Sequence, residues 1–275
     1  MNKSKDIIST MLIPLWARAV EQICKDPIIV DGKSLETMSL LGYGLDYLDM
    51  RKQRMSQVGC CLRGKWIDDE VKKFIDKNND VQVIQLGAGL DARFQRIENV
   101  DKIRYWYDLD LPDAMAVRKK VIPAESENNL YLEMSLFDEE WMRLLSSNNL
   151  PTLIIAEGVF MYFDDVQLKD LFSSIRKYFP QTTFLLDSLP SYLVGKARHH
   201  DSLHKHNKNV EFTWGIETGE DLCKLNEGIK IEKFEYMSDL PRADRFPKIF
   251  RLLYKIPFFH KRFNQRLIRF RLLGN

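Results

Sequence analysis

From Val81 onward the chain alternates short apolar runs with amphipathic stretches, and that rhythm limits it to a small set of folds. The apolar runs are Val81 to Leu86, Ile103 to Leu109, Leu130 to Met134, Leu153 to Ala156 and Thr183 to Leu186. Between them lie helix-like stretches over Asp91 to Glu98, Pro112 to Val121, Asp138 to Leu145 and Asp164 to Phe179. Strand and helix in strict alternation predict an α/β chain with a mostly parallel sheet covered by helices on both faces. Asp164-Asp-Val-Gln167 has the form of a capping box, and Pro180 ends the fourth helix. Two later runs, Ile229 to Tyr236 and Leu267 to Leu272, follow without a regular crossover helix, which predicts an antiparallel C-terminal edge.

The first eighty residues read as helices. Leu15, Ala19, Val20 and Ile23 recur at helical spacing after Pro14 until Asp26-Pro27, and Ile67, Val71, Phe74 and Ile75 repeat the pattern. Neither an internal repeat nor a low-complexity linker divides the chain, so 1–275 reads as one domain. Its parts are a helical N-terminal lid (1–80), an α/β core (81–187), an inserted cap (188–226) and C-terminal edge strands (227–275).

Composition excludes several classes. No stretch approaches the roughly 18 apolar residues of a membrane span, and the polar start lacks the apolar core of a signal peptide, so a cytoplasmic protein without integral membrane association is expected. Cys24, Cys60, Cys61 and Cys223 form neither a metal knuckle nor a disulfide framework. The net charge of +2 hides an asymmetry: residues 241–275 carry ten Lys or Arg and one acid. Such a tail fits nucleic acid, an anionic membrane surface or a face packed on the acidic remainder. The third reading is preferred, because Ile268, Phe270 and Leu272 alternate with Arg269 and Arg271 as in a half-buried strand.

The first apolar run opens into Gly87-Ala-Gly89-Leu-Asp91-Ala-Arg93, where glycine lets the backbone turn sharply and a ligand approach closely. The next run ends in Asp108-Leu-Asp110, placing carboxylates about twenty residues on, where an acid binds ribose hydroxyls. Together these describe an adenosine-containing cofactor. Gly87-x-Gly89-x-x-Ala92 also satisfies a permissive dinucleotide fingerprint, but Asp91 stands where a pyrophosphate would need bare amides. An acid there suits the cationic S-adenosylmethionine better.

Three motifs, Leu86-Gly-Ala-Gly-Leu-Asp-Ala-Arg93, Tyr107-Asp-Leu-Asp-Leu-Pro112 and Ile155-Ala-Glu-Gly-Val-Phe-Met-Tyr162, resemble the leucine carboxyl methyltransferase superfamily. Arg63-Gly-Lys-Trp-Ile-Asp-Asp69 resembles its arginine-containing helix. Leu12 to Arg18 and Asp26 to Asp31 resemble its bacterial tetracenomycin polyketide O-methyltransferase-like branch. The resemblance implies a Rossmann-like methyltransferase fold and S-adenosylmethionine as cofactor. Arg63 would grip the methionine carboxylate, Gly87 and Gly89 would line the methionine portion beside Asp91, Asp110 would take the ribose hydroxyls, and Glu157 would face the amino-acid end. Asp108 stands where the family more often has Glu, and Ser135-Leu136 stand where it commonly has Asp-Leu at the adenine.

Plainer readings run alongside. Arg63 could be a surface residue, Asp108 and Asp110 could start the helix after Pro112, and Tyr162 is a core residue or a substrate wall. His199, His200, His204 and His206 lie among lysines and arginines without a completing ligand set, so no metal is expected. They fit a general base, an anion-attracting loop or a solvated loop. The leading expectation is methyl transfer to a carboxylate or hydroxyl of a small molecule, with Tyr162, His199, His200 and His204 as catalytic candidates and no nucleic-acid partner. Alternatives are a protein C-terminal carboxyl methyltransferase, a non-catalytic protein docking through its basic tail, and a nicotinamide-dependent oxidoreductase.

Overall fold

The structure, a computed structural model, describes residues 3–196 and 211–274. Its strands are β1 (Val81–Leu86), β2 (Ile103–Asp110), β3 (Asn129–Glu133), β4 (Thr152–Ala156), β5 (Gln181–Ser188), β6 (Ile229–Tyr236) and β7 (Arg266–Leu273). They form one sheet in the order β3-β2-β1-β4-β5-β7-β6. The first five run parallel, while β7 lies antiparallel to both β5 and β6. The reversed strand therefore sits between β5 and the edge strand β6. β7 carries the expected alternation, with Ile268, Phe270 and Leu272 fully buried. Arg269 on its other face pairs with Glu70 at 3.1 Å and Glu232 at 2.9 Å.

Helices cover both faces. On one, α6 (Glu139–Ser146) and α7 (Asp165–Tyr178) bury Trp141, Met142, Leu168, Leu171 and Phe172 against Ile84, Ile154, Phe184 and Phe270. The capping box of α7 forms as expected, with Asp164 accepting from the Gln167 amide at 2.9 Å and the Gln167 side chain accepting in return at 3.0 Å.

On the other face lies α3 (Arg54–Lys77), whose Ile67, Val71, Phe74 and Ile75 pack with Val81, Val83, Ile155, Leu185 and Leu267. This helix is a layer of the core, so the first eighty residues do more than cover a site. α1 (Lys3–Glu21) and α2 (Gly32–Leu40) pack outside α3 in a further apolar cluster around Leu15, Trp16, Val20, Ile29 and Met38. The expected helix over Asp91 to Glu98 is reduced to α4 (Arg93–Arg96), one turn long. The remaining helices are α5 (Pro112–Val121), α8 (Gly219–Cys223), α9 (Lys248–Leu253) and α10 (Pro257–Phe263). Among the described residues, no helix is long and apolar enough to cross a membrane.

Candidate active site

The strand order reverses between β1 and β4, both buried throughout, and the segments leaving their C-terminal ends flank a cavity of about 660 Å³. A crevice at such a switch point is where open α/β sheets take ligands, and the volume is that of a small-molecule pocket, roughly 300–1,000 Å³. Gly87, Gly89, Asp91, Asp110, Arg63, Glu157 and Tyr162 all line it.

Two glycines on the cavity wall, one in the glycine turn and one after β4, are needed for different reasons. Gly87 has φ +63°, and a Cβ there would stand 2.5 Å from Val159 Cγ2. Gly158 (φ +68°) lies against the Arg63 guanidinium, 3.2 Å from where its Cβ would be, so a side chain would push that group aside. Asp110 is tied to the turn, its carboxylate accepting from the Gly89 amide at 2.7 Å and the Leu111 amide at 2.8 Å. Burial nevertheless raises its pKa, outweighing those two bonds.

Beneath the cavity runs a chain of buried ion pairs that sequence reasoning did not find. Arg63 binds Glu157 at 2.9 Å and Asp187 at 3.0 Å. Arg93 binds Glu157 from the other side and reaches Asp68 at 2.7 Å and Asp91 at 3.2 Å. Arg96 bridges Asp91 at 2.5 Å and Asp68 at 2.7 Å, and Arg18 joins Asp31 at 2.8 Å to Asp91 at 3.6 Å. Four arginines and five carboxylates thus alternate from α1 to β5. Burial pushes the Glu157 pKa up, but the Arg93 and Arg63 guanidiniums overcome it and hold the group ionised below the usual range. The same contest leaves Asp91 well below it, through Arg93, Arg96 and Arg18. For Asp187 burial wins over Arg63, and its pKa is raised. The only local signal for this network is the spacing Asp91-Ala-Arg93 and Arg96, since the other partners lie far away in sequence.

Asp91 therefore differs from its expectation in one respect. It lies beside the glycines, but three arginines neutralise it, so its negative charge is not free to discriminate against a phosphate.

Asp108 lies beneath the turn rather than on the cavity wall. It is fully buried, and its carboxylate accepts from Arg118 at 2.7 Å, Trp106 at 2.9 Å and Asn129 at 3.0 Å, which leaves it no role in direct contact with a ligand. Ser135 and Leu136 are likewise absent from the lining: Ser135 is engaged with Phe137 and Asp138, and Leu136 packs in the core beside Trp141. Tyr162 does line the cavity, and burial pushes its phenol up to about 12. His199, His200, His204 and His206 lie outside the described residues. Among the described residues no group of His, Cys, Asp or Glu is arranged to hold a metal ion.

The family profile for leucine carboxyl methyltransferases matches residues 16–176, more than half of the chain, and takes in Arg63, the glycine turn, Asp110 and Glu157 of the crevice. The chain belongs to the leucine carboxyl methyltransferase family. It is an S-adenosylmethionine-dependent methyltransferase. Among its relatives is the tetracenomycin polyketide synthesis O-methyltransferase TcmP of Streptomyces glaucescens, 24% identical over 84% of this chain and 83% of that protein. The S-adenosyl-L-methionine-dependent methyltransferase dpfgK of Gibberella zeae is 25% identical over 62% of this chain and 60% of its own length. The fold is shared with a solved structure of a candidate methyltransferase from Thermobifida fusca, with TM-score 0.57 and 13% identity, covering 86% of this chain and 93% of that one.

Several features of the crevice fit the family's cofactor. The turn at Gly87 and Gly89 contributes backbone to the cavity wall, and Asp110 presents a carboxylate edge. Gln85, buried on the wall, donates to Asp91 at 3.0 Å while its Oε1 has no partner, an acceptor suited to an ammonium group.

Proposed function

We propose that the crevice holds S-adenosylmethionine at its glycine-turn end and that the chain methylates an oxygen of a small molecule held at the other end. The observation that carries this reading is the continuity of one cavity from Gly87, Gly89 and Asp110, past Tyr162, to an aromatic wall of Phe212, Phe250, Tyr254 and Phe259. One end suits a polar, cationic nucleoside and the other an apolar acceptor, and the relation to TcmP supports oxygen as the methylated atom.

In this reading Arg63, with two of its five N–H donors given to Glu157 and Asp187, offers the remainder to the cofactor's carboxylate. Asp110 accepts from the ribose hydroxyls, and Gln85 Oε1 receives the ammonium. Glu157 and Asp187 act through Arg63, fixing the fork. The cofactor supplies an activated methyl group, so the protein's task is alignment and exclusion of water.

Lys52 and Lys196 line the cavity and their positive charge favours an anionic acceptor, one that arrives already ionised. Tyr162, with its phenol held at about 12, keeps its proton at neutral pH and serves as a donor. A carboxylate needs no base, whereas an alcohol would.

Calorimetric titration with S-adenosylhomocysteine, beside NAD and an Arg63→Ala variant, tests the cofactor end. Micromolar binding weakened at least tenfold in the variant supports the reading, and a preference for NAD overturns it. Turnover with a panel of carboxylic acids, phenols and a peptide with a free C-terminus then tests the acceptor. Transfer to the peptide alone would favour a protein substrate.

A further inference from the structure

Nine of the ten basic residues of the tail fall into two populations. Arg242 pairs with Asp26 at 3.1 Å, Arg245 with Glu21 at 3.2 Å, Arg266 with Glu217 at 2.7 Å, and Arg269 and Arg271 with Glu232 at 2.9 and 3.0 Å. These arginines are absorbed by the acidic body, as the sequence led one to expect. Lys248, Lys255, Lys261 and Arg262 are exposed, and among the described residues none has a carboxylate within ion-pair distance. All four lie on α9, α10 and the link between them, in a stretch from residue 245 to 275 that contains no acid.

The same hairpin carries the densest exposed apolar surface of the described residues. Ile249 is 58% exposed, Leu252 60%, Ile256 51% and Phe258 69%, four large side chains within ten residues. Ile249 and Leu252 lie one turn apart on α9 and Ile256 stands at the start of α10, while Phe250 and Tyr254 turn inward with Phe259 and Phe263 to line the cavity. An aromatic ladder fixes that inner face, with ring centroids 5.4 Å apart for Tyr254 and Phe259 and 4.5 Å for Phe259 and Phe263. The fold thus accounts for the inner aromatics and leaves the outer stripe bare.

We propose that the outer face of the α9–α10 hairpin docks on an anionic phospholipid surface. Apolar side chains interleaved with unpaired lysines are what an interfacial segment requires: the first enter the acyl boundary, and the second meet the headgroup phosphates. Charge complementarity decides the partner. A surface of uniform negative sign matches a hairpin of uniform positive sign. A nucleic acid would satisfy the lysines but leave Ile249, Leu252, Ile256 and Phe258 in water. Docking there brings the aromatic end of the cavity to the bilayer. That consequence rests on the proposed acceptor site, but the docking itself does not.

Sedimentation of the full chain with phosphatidylcholine vesicles containing 30% phosphatidylserine, against pure phosphatidylcholine vesicles, tests it without turnover, so a failure leaves the methyl-transfer reading untouched. The expected result is binding to the anionic vesicles at least tenfold tighter than to the neutral ones. A double variant, Ile256→Ser with Phe258→Ser, loses at least tenfold of that binding, and so does Lys255→Glu with Lys261→Glu. S-adenosylhomocysteine affinity and thermal midpoint stay unchanged in both and report that the variants are folded. Equal binding to both vesicle types overturns the proposal, as does vesicle binding undisturbed in the serine variant. Tighter retention on RNA than on anionic vesicles, or a dimer in analytical ultracentrifugation that the serine variant dissolves, overturns it in favour of those partners.

Discussion

Arg118 reaches across from α5 to Asp108 on β2, donating from Nη2 at 2.7 Å with both side chains fully out of water. Its Nη1 donates to the carbonyls of Gly89 at 3.0 Å and Asp91 at 2.8 Å, so one guanidinium clamps the glycine turn from beneath. Asp108 thereby shapes the glycine turn, the proposed cofactor end, without lining the cavity. Removing one partner of such a buried pair strands the other, at a cost of about 3–5 kcal/mol. Arg118→Met and Asp108→Asn should both lower the thermal midpoint by that route. Arg118→Lys keeps a charge for Asp108 but cannot span three acceptors. Its S-adenosylhomocysteine affinity should therefore fall more than its stability does, read by calorimetry beside a thermal melt.

Gly87→Ala combines two penalties. A left-handed alanine costs about 1–2 kcal/mol, and the new Cβ, 2.5 Å from Val159, adds about 1–3 kcal/mol of overpacking. Val159→Ala removes the clash but not the dihedral strain. The double variant should consequently be more stable than the sum of the two single effects allows, with a coupling of about 0.5–3 kcal/mol measured by denaturant unfolding. Strict additivity would show that the backbone, rather than Val159, limits the position.

Periodicity read β1, β6 and α5 to the residue, because each is bounded by a turn, a proline or a polar break that is local in sequence. It overextended the helix after the glycine turn, since Asp91 and Arg96 spend their side chains on each other and on buried partners rather than on a longer amphipathic face. The motifs located Arg63, on α3, and Asp110 and Glu157, at strand ends, on one cavity, because each motif is a short contiguous stretch of sequence. The ion-pair network was not legible: Arg63 meets Asp187 across 124 residues, and no local pattern announces such a pairing. The resemblance gave the ribose hydroxyls to Asp110, but strand periodicity alone could not separate it from Asp108. Neighbours on a strand face opposite ways, but these two stand two apart on one face, and only the presence of Arg118 behind one of them distinguishes their roles.

Cofactor binding should weaken on acidification earlier than an ordinary aspartate would permit. Burial raises the Asp110 pKa, so the folded protein takes up this proton at higher pH than the unfolded chain does. Below that pH the carboxylate no longer accepts two ribose hydroxyls. S-adenosylhomocysteine affinity measured from pH 8 downward should decline with a midpoint above the usual value of about 3.9. Asp110→Asn should bind weakly throughout and remove that decline. The stability linkage has the opposite sign: Asp110 favours the fold while protonated and loses that contribution as pH rises from its unfolded pKa to its folded one. Asp91, whose pKa is depressed, contributes in the opposite sense, stabilising above its unfolded pKa and losing that stability as pH falls toward its folded one.

Tyr162 separates two accounts of the chemistry. A general base contributes about 10²–10⁴-fold to rate, so Tyr162→Phe would abolish most turnover if the phenolate took a proton from the acceptor. With the phenol held at about 12 by burial, less than about one molecule in 10⁴ is ionised at pH 7, and the residue offers a hydrogen bond and a ring. Its ring lies 6.1 Å from that of Phe212, both on the cavity wall, so the phenylalanine variant keeps the packing. Turnover of Tyr162→Phe on a carboxylate acceptor should fall by no more than about tenfold, the scale of one lost hydrogen bond of about 1 kcal/mol. Its kcat should lack any alkaline limb that the unmodified protein does not also show. A loss of 10³-fold or more, rescued as pH rises in the unmodified protein alone, would make Tyr162 a base and move the acceptor from carboxylates to hydroxyls.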